Sequence, residues 1–406
     1  MSSVIAERYD ALFLDLDGVI HRGDQVIPGV PQALATVRAT GKPLLFLTNN
    51  SSKTPEQVAE RLQAMGVPAA AEEILTSALA TAAMLQREGS GASTAFVIGE
   101  RGIRDALAGV GVDVIDGEPE RTDLVVVGWD RSADYAKIRT AALMVQRGAR
   151  LVATNGDASY PAPDGLWPGA GALLAAVTTT TGATPTVVGK PASPLFEAAA
   201  EATGASNPLV VGDRLDTDIS GAAGVGWDSL LVLTGASRPA DLPWAGDLPT
   251  YLGRDLSHIT RSVPPARFER PAMDDLDALR QLLSSSGLSN DGIEGRLEAT
   301  LVCRDEQGIA ATACLEIAGD YGILRSVAVR QDLRGSGLGM LASAAAMRMG
   351  RGEGIREFAL FTETAQAFFE RLGFDAVERD ELPGPVRVSA QAAECTGSAT
   401  AMTRSL

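Results

Sequence analysis

The stretch Leu12-Phe-Leu-Asp15-Leu-Asp17-Gly18-Val-Ile20 decides the fold of this chain. Its apolar run predicts a buried parallel strand. Such a strand does not normally end in two carboxylates, because burying charge is costly unless a cation pairs with it. We therefore expect Asp15 and Asp17 at the carboxyl end of a strand in an open α/β sheet, where ligands bind, with Gly18 permitting a sharp turn. A simple Asp-Gly turn is the alternative interpretation.

The composition limits both the number of domains and the kinds of partner. A chain of 406 residues predicts two or three domains. The net charge of −16 argues against sequence-independent nucleic-acid binding and against anionic membranes. The sequence has no apolar run long enough to span a bilayer and no signal-peptide pattern. Cys303, Cys314 and Cys395 are too scattered for a disulfide framework, so we expect a cytoplasmic protein.

Strand-like and helix-like segments alternate over the first 260 or so residues. Strands are predicted at 11–16, 43–48, 94–98, 124–127, 151–154, 186–188, 208–211 and 229–233, with helices at 55–65 and 194–202 among others. This alternation predicts a doubly wound parallel α/β sheet. The predicted domains are a core in two parts (1–83 and 185–257), an insertion (84–184), a Pro-containing linker (258–265) and a C-terminal domain (266–406).

Four predicted strand ends carry polar residues that can act together. They are Asp15 and Asp17 after the first strand, Thr48 and Asn49 after the second, Lys190 after 186–188, and Asp213 to Asp218 after 208–211. In a doubly wound sheet, strand ends converge on one crevice. Thr48-Asn49 as a helix cap, Lys190 as a surface lysine and Gly212-Asp213 as a turn are the individual alternatives.

This set of residue types suits phosphoryl transfer, which spreads negative charge over three oxygens. Carboxylates from two strands can hold Mg²⁺, while Lys190 and the Thr48 hydroxyl can hold phosphoryl oxygens. Asp15 can attack phosphorus, and Asp17 can give a proton to the leaving oxygen and then take one from water. A P-loop is disfavoured, because no G-x-x-x-x-G-K-[ST] motif occurs.

These four motifs resemble those of haloacid dehalogenase superfamily phosphatases. The resemblance implies that Asp15 is the nucleophile and Asp17 the general acid and base. It implies that Asp15, the Asp17 backbone carbonyl and Asp213 hold Mg²⁺, and that Thr48, Asn49 and Lys190 bind the phosphate. Gly18 and Asp218 would be supporting residues, Asp218 orienting either Lys190 or a metal-bound water. Asp216 as a ligand in its place stays open.

The insertion between the second and third motifs has its own βα pattern and predicts a cap over the crevice. The segments Val126-Val-Gly-Trp-Asp130, Tyr135-Ala-Lys and Ala153-Thr-Asn155-Gly-Asp157 resemble the C2-type cap of the NagD and 4-nitrophenylphosphatase group. That resemblance implies that Asn155, Asp157 and the loop 159–167 select the substrate. A type I′ turn at Asn155-Gly-Asp157 is an equally weighted alternative.

The C-terminal domain carries a second phosphate-binding pattern. Arg334-Gly335-Ser-Gly337-Leu-Gly339 follows a predicted strand and precedes a helix, so its backbone N–H groups can face a phosphate. Together with the segment 365–374, it resembles GNAT acetyltransferases and implies a site for acetyl-CoA. Phe368 and Phe369 stand where many of those enzymes place a general-acid tyrosine. Glu316 is a candidate base, although an outward-facing strand residue is the favoured interpretation.

The predicted function is a Mg²⁺-dependent phosphomonoesterase acting on a small-molecule phosphomonoester. The two-domain combination resembles actinobacterial glycerol 3-phosphate phosphatases, which makes glycerol 3-phosphate the leading substrate. Phosphoglycolate, pyridoxal phosphate and a nucleotide monophosphate stay open. An acetyltransferase or an acetyl-CoA sensor is the alternative from another class. Capped relatives often pair through the cap, so the resemblance also leaves a homodimer open.

Overall fold

The computed structural model describes residues 3–90, 93–162, 164–395 and 397–405. They divide into two compact units. The first unit comprises the described parts of 5–235 together with 255–260. The second comprises the described parts of 236–254 and 261–405, with residues 3–4. Among the described residues, no helix is long and apolar enough to cross a membrane.

The first unit alternates strands and helices along the chain. Its strands are β1 (Ala11–Asp15), β2 (His21–Arg22), β3 (Gln25–Val26), β4 (Leu44–Thr48), β5 (Ile74–Thr76), β6 (Thr94–Ile98), β7 (Asp113–Val114), β8 (Leu124–Val127), β9 (Arg150–Ala153), β10 (Ser159–Ala162), β11 (Gly165–Pro168), β12 (Thr186–Val187), β13 (Pro208–Gly212) and β14 (Asp228–Val232). Its helices are α1 (Val30–Ala39), α2 (Pro55–Ala64), α3 (Ser77–Arg87), α4 (Arg101–Gly109), α5 (Tyr135–Gln146), α6 (Ala170–Thr181), α7 (Ser193–Thr203) and α8 (Ser220–Gly224).

The core of this unit is a parallel sheet in the order β14–β13–β1–β4–β5. The strand β1 lies at its centre, with Leu12 opposite both Leu209 and Leu44. Residues 11–14 are fully buried, which explains their unbroken apolar run. All five strands point the same way, so their carboxyl ends meet at one edge of the sheet. The predicted doubly wound α/β fold is confirmed.

The insertion forms a separate parallel sheet in the order β12–β9–β8–β6–β7. The strand β12, which the sequence reasoning placed in the core sheet, pairs with β9 at the edge of this cap sheet instead. Its two residues are only partly buried, as suits an edge strand rather than a central one. The predicted loop 159–167 largely forms the antiparallel hairpin β10–β11; Pro163 lies outside the described residues.

The second unit is a mixed sheet with helices. Its strands are β15 (Tyr251–Gly253), β16 (Thr300–Asp305), β17 (Gly308–Ala318), β18 (Tyr321–Val329), β19 (Glu357–Thr362), β20 (Asp375–Val377) and β21 (Thr400–Arg404). Its helices are α9 (Leu276–Ser285), α10 (Leu338–Gly352), α11 (Gln366–Arg371), α12 (Gly384–Arg387) and α13 (Ala390–Glu394). The sheet order is β16–β17–β18–β19–β21–β20, and β18 and β19 are its parallel pair.

Candidate active site

Three carboxylates from two neighbouring strand ends meet at the carboxyl edge of the core sheet. Asp15 is the last residue of β1, Asp213 directly follows β13, and Asp218 lies in the one-turn π-helix Leu215–Ile219. One oxygen of each of these carboxylates lies within 4.8 Å of the others. The sheet topology therefore brings together the first and fourth predicted motifs, which are about 200 residues apart in the chain.

Lys190 supplies the positive charge of this cluster. Its Nζ lies 2.5 Å from Asp15 Oδ1 and 2.6 Å from Asp218 Oδ1. Only 4% of its side chain is exposed. Burial alone would lower the pKa of Lys190, but the two carboxylates outweigh burial and raise that pKa above its ordinary value. Lys190 is therefore a fixed cation beside Asp15.

The cluster has more negative than positive charge. Burial raises the pKa of Asp15 well above its ordinary value, and the charges of Asp218 and Asp213 raise it further, although Lys190 opposes the shift. When Asp15 is ionised, as a nucleophile must be, three carboxylates and one ammonium leave an excess of buried negative charge, which is costly without a further cation. Clustered carboxylate oxygens are the ligands that Mg²⁺ prefers. The donor set at this edge of the sheet thus fits a divalent metal ion.

Two glycines give the Asp213 carboxylate the space that it occupies. A Cβ on Gly18 would lie 2.5 Å from Asp213 Oδ2, and one on Gly235 would lie 1.8 Å from the same atom. Gly18 also has φ = 82°, a conformation that favours glycine. Any side chain at either position would displace this carboxylate from the cluster. The sequence reasoning identified Gly18 but missed Gly235.

Asp17 and Thr48 lie beside the cluster with polar atoms suited to proton and phosphate contacts. The Asp17 side chain is 55% exposed, and one of its oxygens lies 3.4 Å from Nδ1 of the buried His21. Burial lowers the pKa of His21, so this imidazole is neutral at neutral pH. The buried Thr48 hydroxyl accepts a hydrogen bond from the Asn50 N–H at 3.1 Å. Its own hydrogen can therefore be donated to a ligand.

The Asn49 side chain contacts the third motif and the cap. Its Oδ1 accepts from the Lys190 N–H at 2.8 Å, and its Nδ2 donates to the Lys190 carbonyl at 3.0 Å and to Asp157 Oδ2 at 3.0 Å. Asn155 Nδ2 donates to the Asn49 carbonyl at 2.6 Å. The predicted phosphate-binding residue Asn49 and the predicted cap residues Asn155 and Asp157 are therefore bonded to one another.

The cap and the core together present aromatic and basic side chains near Asp17. Trp129, after β8, stacks on Tyr160 of the hairpin with ring centroids 4.2 Å apart, and Arg131 lies 5.4 Å above the Trp129 ring. Burial raises the pKa of Tyr160, and the charge of Asp17 raises it further. The partly buried Lys53 lies in the fields of Asp17 and Arg131. The sequence reasoning did not identify Lys53, although it follows the Thr48-Asn49-Asn50 motif by three residues.

Asp216 lies apart from the carboxylate cluster. Its side chain is 68% exposed and pairs with Arg214 at 2.7 Å. This pairing lowers the pKa of Asp216. Asp218 forms the inward contact with Lys190 instead, which follows from its buried position in the π-helix.

In the second unit, the predicted glycine-rich loop precedes α10. Gly337 caps this helix with φ = 90°, and a Cβ there would lie 2.3 Å from the Leu252 carbonyl oxygen. Arg261 donates to the Gly335 carbonyl at 2.8 Å, and the Phe368 ring approaches Gly339. The exposed Arg334 begins the loop with an Nε–H bond to the Val329 carbonyl at 3.4 Å.

The other two predicted features of this unit are already engaged within it. Glu316 accepts from the buried Arg325 at 2.8 Å. Phe369 is buried against Phe374, with ring centroids 6.0 Å apart. Glu316 is therefore engaged with Arg325 and not free to act as a base, and a phenylalanine has no proton to donate in acyl transfer.

Family comparisons agree with this architecture. Residues 12–113 match the haloacid dehalogenase-like hydrolase family, residues 187–259 match a related HAD-hydrolase-like family, and residues 296–376 match the GNAT acetyltransferase domain. The chain belongs to the haloacid dehalogenase-like hydrolases, and within them it is a phosphomonoester hydrolase with a C-terminal GNAT domain.

The relatives of this chain are named after different substrates. The 5'-nucleotidase YutF of Bacillus subtilis is 39% identical over 258 residues, 63% of this chain and 98% of the relative. The acid sugar phosphatase of Staphylococcus aureus is 40% identical over 253 residues, 62% of this chain and 96% of the relative. A glycerol phosphate phosphatase from Mycobacterium tuberculosis, whose structure was solved in complex with magnesium, is 30% identical in sequence to this chain. The match covers 92% of this chain and 99% of the solved chain, with a TM-score of 0.73.

Proposed function

We propose that this protein is a Mg²⁺-dependent phosphatase that works through an aspartyl-phosphate on Asp15. The observation that carries this proposal is the buried cluster of Asp15, Lys190, Asp213 and Asp218 at the carboxyl edge of the core sheet. The magnesium complex of the glycerol phosphate phosphatase supports the choice of metal. Asp15, Asp213 and the backbone carbonyl of Asp17 would hold the ion, which when bound neutralises charge on the phosphoryl oxygens.

Four side chains of the protein carry out the steps of the reaction. A carboxylate oxygen of Asp15 forms a bond to phosphorus while the ester P–O bond breaks, and Asp17 donates a proton to the departing oxygen. Lys190 and the Thr48 hydroxyl hold the phosphoryl oxygens in line. Water then attacks phosphorus and gives a proton to Asp17, while the bond between phosphorus and the Asp15 oxygen breaks and frees the Asp15 carboxylate. Inorganic phosphate leaves, and both aspartates return to their starting states.

Glycerol 3-phosphate is the substrate that we favour. The support is the likeness to the M. tuberculosis glycerol phosphate phosphatase, because that likeness extends over both units of the chain rather than over the phosphatase unit alone. A small polyol can also form hydrogen bonds with the carboxyl group of Asp17 and accept them from the ammonium of Lys53.

A 5'-nucleotide is the second candidate, and the aromatic stack of the cap favours it. Trp129 and Tyr160 form a stacked pair with Arg131 above the indole. Aromatic faces and a guanidinium are the side chains on which nucleobases stack. The relative named 5'-nucleotidase supports the same candidate.

Phosphate release from a panel of phosphomonoesters tests both candidates. The panel contains glycerol 3-phosphate, AMP, phosphoglycolate, pyridoxal phosphate and 4-nitrophenyl phosphate, each with Mg²⁺ or with EDTA. We expect release only with Mg²⁺, with the highest kcat/KM on glycerol 3-phosphate. Asp15→Asn should abolish release without changing the circular dichroism spectrum. Activity retained in Asp15→Asn would contradict the covalent role of Asp15, and activity retained in EDTA would contradict the metal.

We propose that the GNAT domain is a binding module rather than an acetyltransferase. Glu316 is paired with Arg325, and Phe369 cannot donate a proton. Calorimetric titration with acetyl-CoA, followed by an amine acetylation assay, tests this. Binding without acetyl transfer is the expected result, and turnover on any amine would contradict it.

A further inference from the structure

The side-chain amide of Asn49 links the cap to the third motif, beside the backbone hydrogen bond from the Gly189 N–H to the Thr154 carbonyl at 2.8 Å. The amide oxygen and nitrogen of Asn49 bond to the N–H and the carbonyl of Lys190, at 2.8 and 3.0 Å. The nitrogen also donates to Asp157 Oδ2 at 3.0 Å. The Asn49 amide is therefore held on one side by Asp157 of the cap and fixes the backbone of Lys190 on the other.

Asn155 of the cap holds the backbone of Asn49. Its Nδ2 donates to the Asn49 carbonyl at 2.6 Å, and its Oδ1 accepts from the Asp157 N–H at 3.1 Å. The Ser77 hydroxyl also donates to the Asn49 carbonyl, at 2.6 Å. Asn155 is 3% exposed. Its side-chain hydrogen bonds are thus made inside the protein, so its amide is already engaged and is not a free specificity group.

The packing around these contacts leaves little room for adjustment. A Cβ on Gly189 would lie 2.6 Å from Asn49 Oδ1 and 2.6 Å from the Thr154 carbonyl oxygen. The backbone of Gly189, the residue before Lys190, is therefore packed tightly between the core residue Asn49 and the end of cap strand β9. A shift of Asn49 would be passed directly to Lys190, whose Nζ lies 2.5 Å from Asp15 Oδ1.

We propose that Asp157 and Asn155 are positioning residues, which act through Asn49 to hold Lys190 against Asp15. This inference rests on the proposed role of Lys190 in holding the phosphate. It replaces the expectation that the two cap residues select the substrate. Small displacements of a charged group at a reacting centre reduce the rate strongly. The cap would then have two separable parts, Asn155 and Asp157 setting the rate and the Trp129–Tyr160 stack contacting the leaving group.

Steady-state kinetics of Asp157→Ala distinguish positioning from selection. We expect kcat to fall about tenfold, by the same factor on glycerol 3-phosphate, AMP and 4-nitrophenyl phosphate, because the phosphoryl group is common to all three. KM should stay within about twofold for each substrate. Asp157→Asn, whose amide oxygen can still accept from Asn49, should recover most of the rate. It also keeps the test valid should Asp157→Ala fold poorly.

A double-mutant cycle with Asn49→Ala tests whether Asp157 acts through Asn49. In the Asn49→Ala background, Asp157→Ala should produce no further loss of kcat. Asp113→Ala is the matched control, because Asp113 is an exposed carboxylate on β7, at the far edge of the cap sheet, and its activity should equal that of the wild type.

Three results would overturn the inference in an active wild-type enzyme. They are unchanged kcat in Asp157→Ala, losses that differ more than tenfold between substrates, and a full additional loss in the Asn49→Ala background. Absence of phosphate release from the wild type with Mg²⁺ would instead contradict the proposed function itself. The failure of one proposal is therefore distinguishable from the failure of the other.

Discussion

At the scale of single residues, the active site depends on close packing around its charged groups. Lys190 lies between two carboxylates at 2.5 and 2.6 Å, and Asp213 fits only because Gly18 and Gly235 lack side chains. Asp17 differs from these, because half of its side chain is exposed. It can therefore exchange a proton with a substrate or with water, which a fully buried carboxylate cannot do readily.

The role of Asp17 as general acid predicts a loss that depends on the leaving group. In Asp17→Asn, kcat/KM on glycerol 3-phosphate should fall by about 10²–10⁴-fold, the usual range for a missing general acid. The loss on 4-nitrophenyl phosphate should be much smaller, since 4-nitrophenolate leaves without a proton. Parallel initial-rate assays give both values, and kcat/KM reports only on formation of the phosphoenzyme. Equal losses on the two substrates would show that Asp17 does not protonate the leaving group.

Gly235 is predicted to control metal affinity. In Gly235→Ala, the new methyl would overlap Asp213 Oδ2, which lies only 1.8 Å from the ideal Cβ position. The Mg²⁺ concentration for half-maximal activity should rise at least about tenfold, because a displaced ligand weakens the site. A Mg²⁺ titration of activity measures this. Gly224→Ala is the control, because a Cβ there meets nothing within 4 Å, and it should titrate like the wild type.

At the scale of elements, a buried carboxylate holds the turn between cap strand β8 and helix α5. Asp130, just after β8, accepts from the Ser132 N–H at 2.8 Å, from the Ser132 hydroxyl at 2.6 Å and from Lys137 Nζ on α5 at 2.8 Å. These bonds fix the turn between strand and helix and bear directly on Trp129, the preceding residue.

The stability that Asp130 contributes should depend on pH. Burial alone would raise the pKa of Asp130, but the bonds from Lys137 and Ser132 outweigh burial and lower that pKa below its ordinary value of 3.8. The contribution is therefore complete above the unfolded-state pKa and is lost as the pH falls through the folded-state pKa. Asp130→Asn should destabilise the protein by about 1–3 kcal/mol at pH 7.

Thermal unfolding of Asp130→Asn and wild type at pH 7 and at progressively lower pH measures this contribution. The difference between their Tm values should shrink below pH 3.8. Asp134→Asn serves as the matched control, because Asp134 caps α5 and asparagine is an equally good N-cap. A Tm difference for Asp130→Asn that persists unchanged into acid would contradict the assigned ion pair.

At the scale of the whole molecule, the division into units does not follow the order of the chain. Residues 236–254 belong to the same unit as the GNAT domain. Within that unit, Arg348 donates to the carbonyls of Ala245 and Gly246 at 2.7 and 2.6 Å. Arg351 and Arg404 lie 4.8 and 4.9 Å from the centre of the Trp244 ring. The domain boundaries drawn from the sequence, with a linker at 258–265, stay a prediction.

A chain ending at residue 260 should therefore leave residues 236–254 without their partners. We expect trypsin to cleave after Arg254 in this truncated protein much faster than in the full chain, because the order of that segment depends on arginines beyond residue 260. Mass spectrometry of timed digests measures cleavage at this site. Equal cleavage rates would show that the segment is ordered by the N-terminal residues alone. In the full chain, Arg351→Ala should increase cleavage there, whereas the exposed Arg356 can be replaced without effect.

The sequence by itself determined the class of fold and the chemistry of the site. The unbroken apolar runs predicted the strands β1 and β4, because a strand buried on both faces must be apolar throughout. The types of residue at the four strand ends indicated phosphoryl transfer jointly, because together they offer a nucleophile, a proton donor, a cation and metal ligands. Local patterns therefore sufficed for Asp15, Asp17, Thr48 and Lys190 as candidates.

Only the tertiary structure decided which of these residues touch. It paired Asp218 rather than Asp216 with Lys190, brought Asn155 and Asp157 onto Asn49, placed Gly235 against Asp213, and put β12 in the cap sheet. Each of these contacts joins segments whose pairing depends on packing and register rather than on local propensity. A contact of this kind has no signature in the residues on either side of it, so a single sequence cannot reveal it.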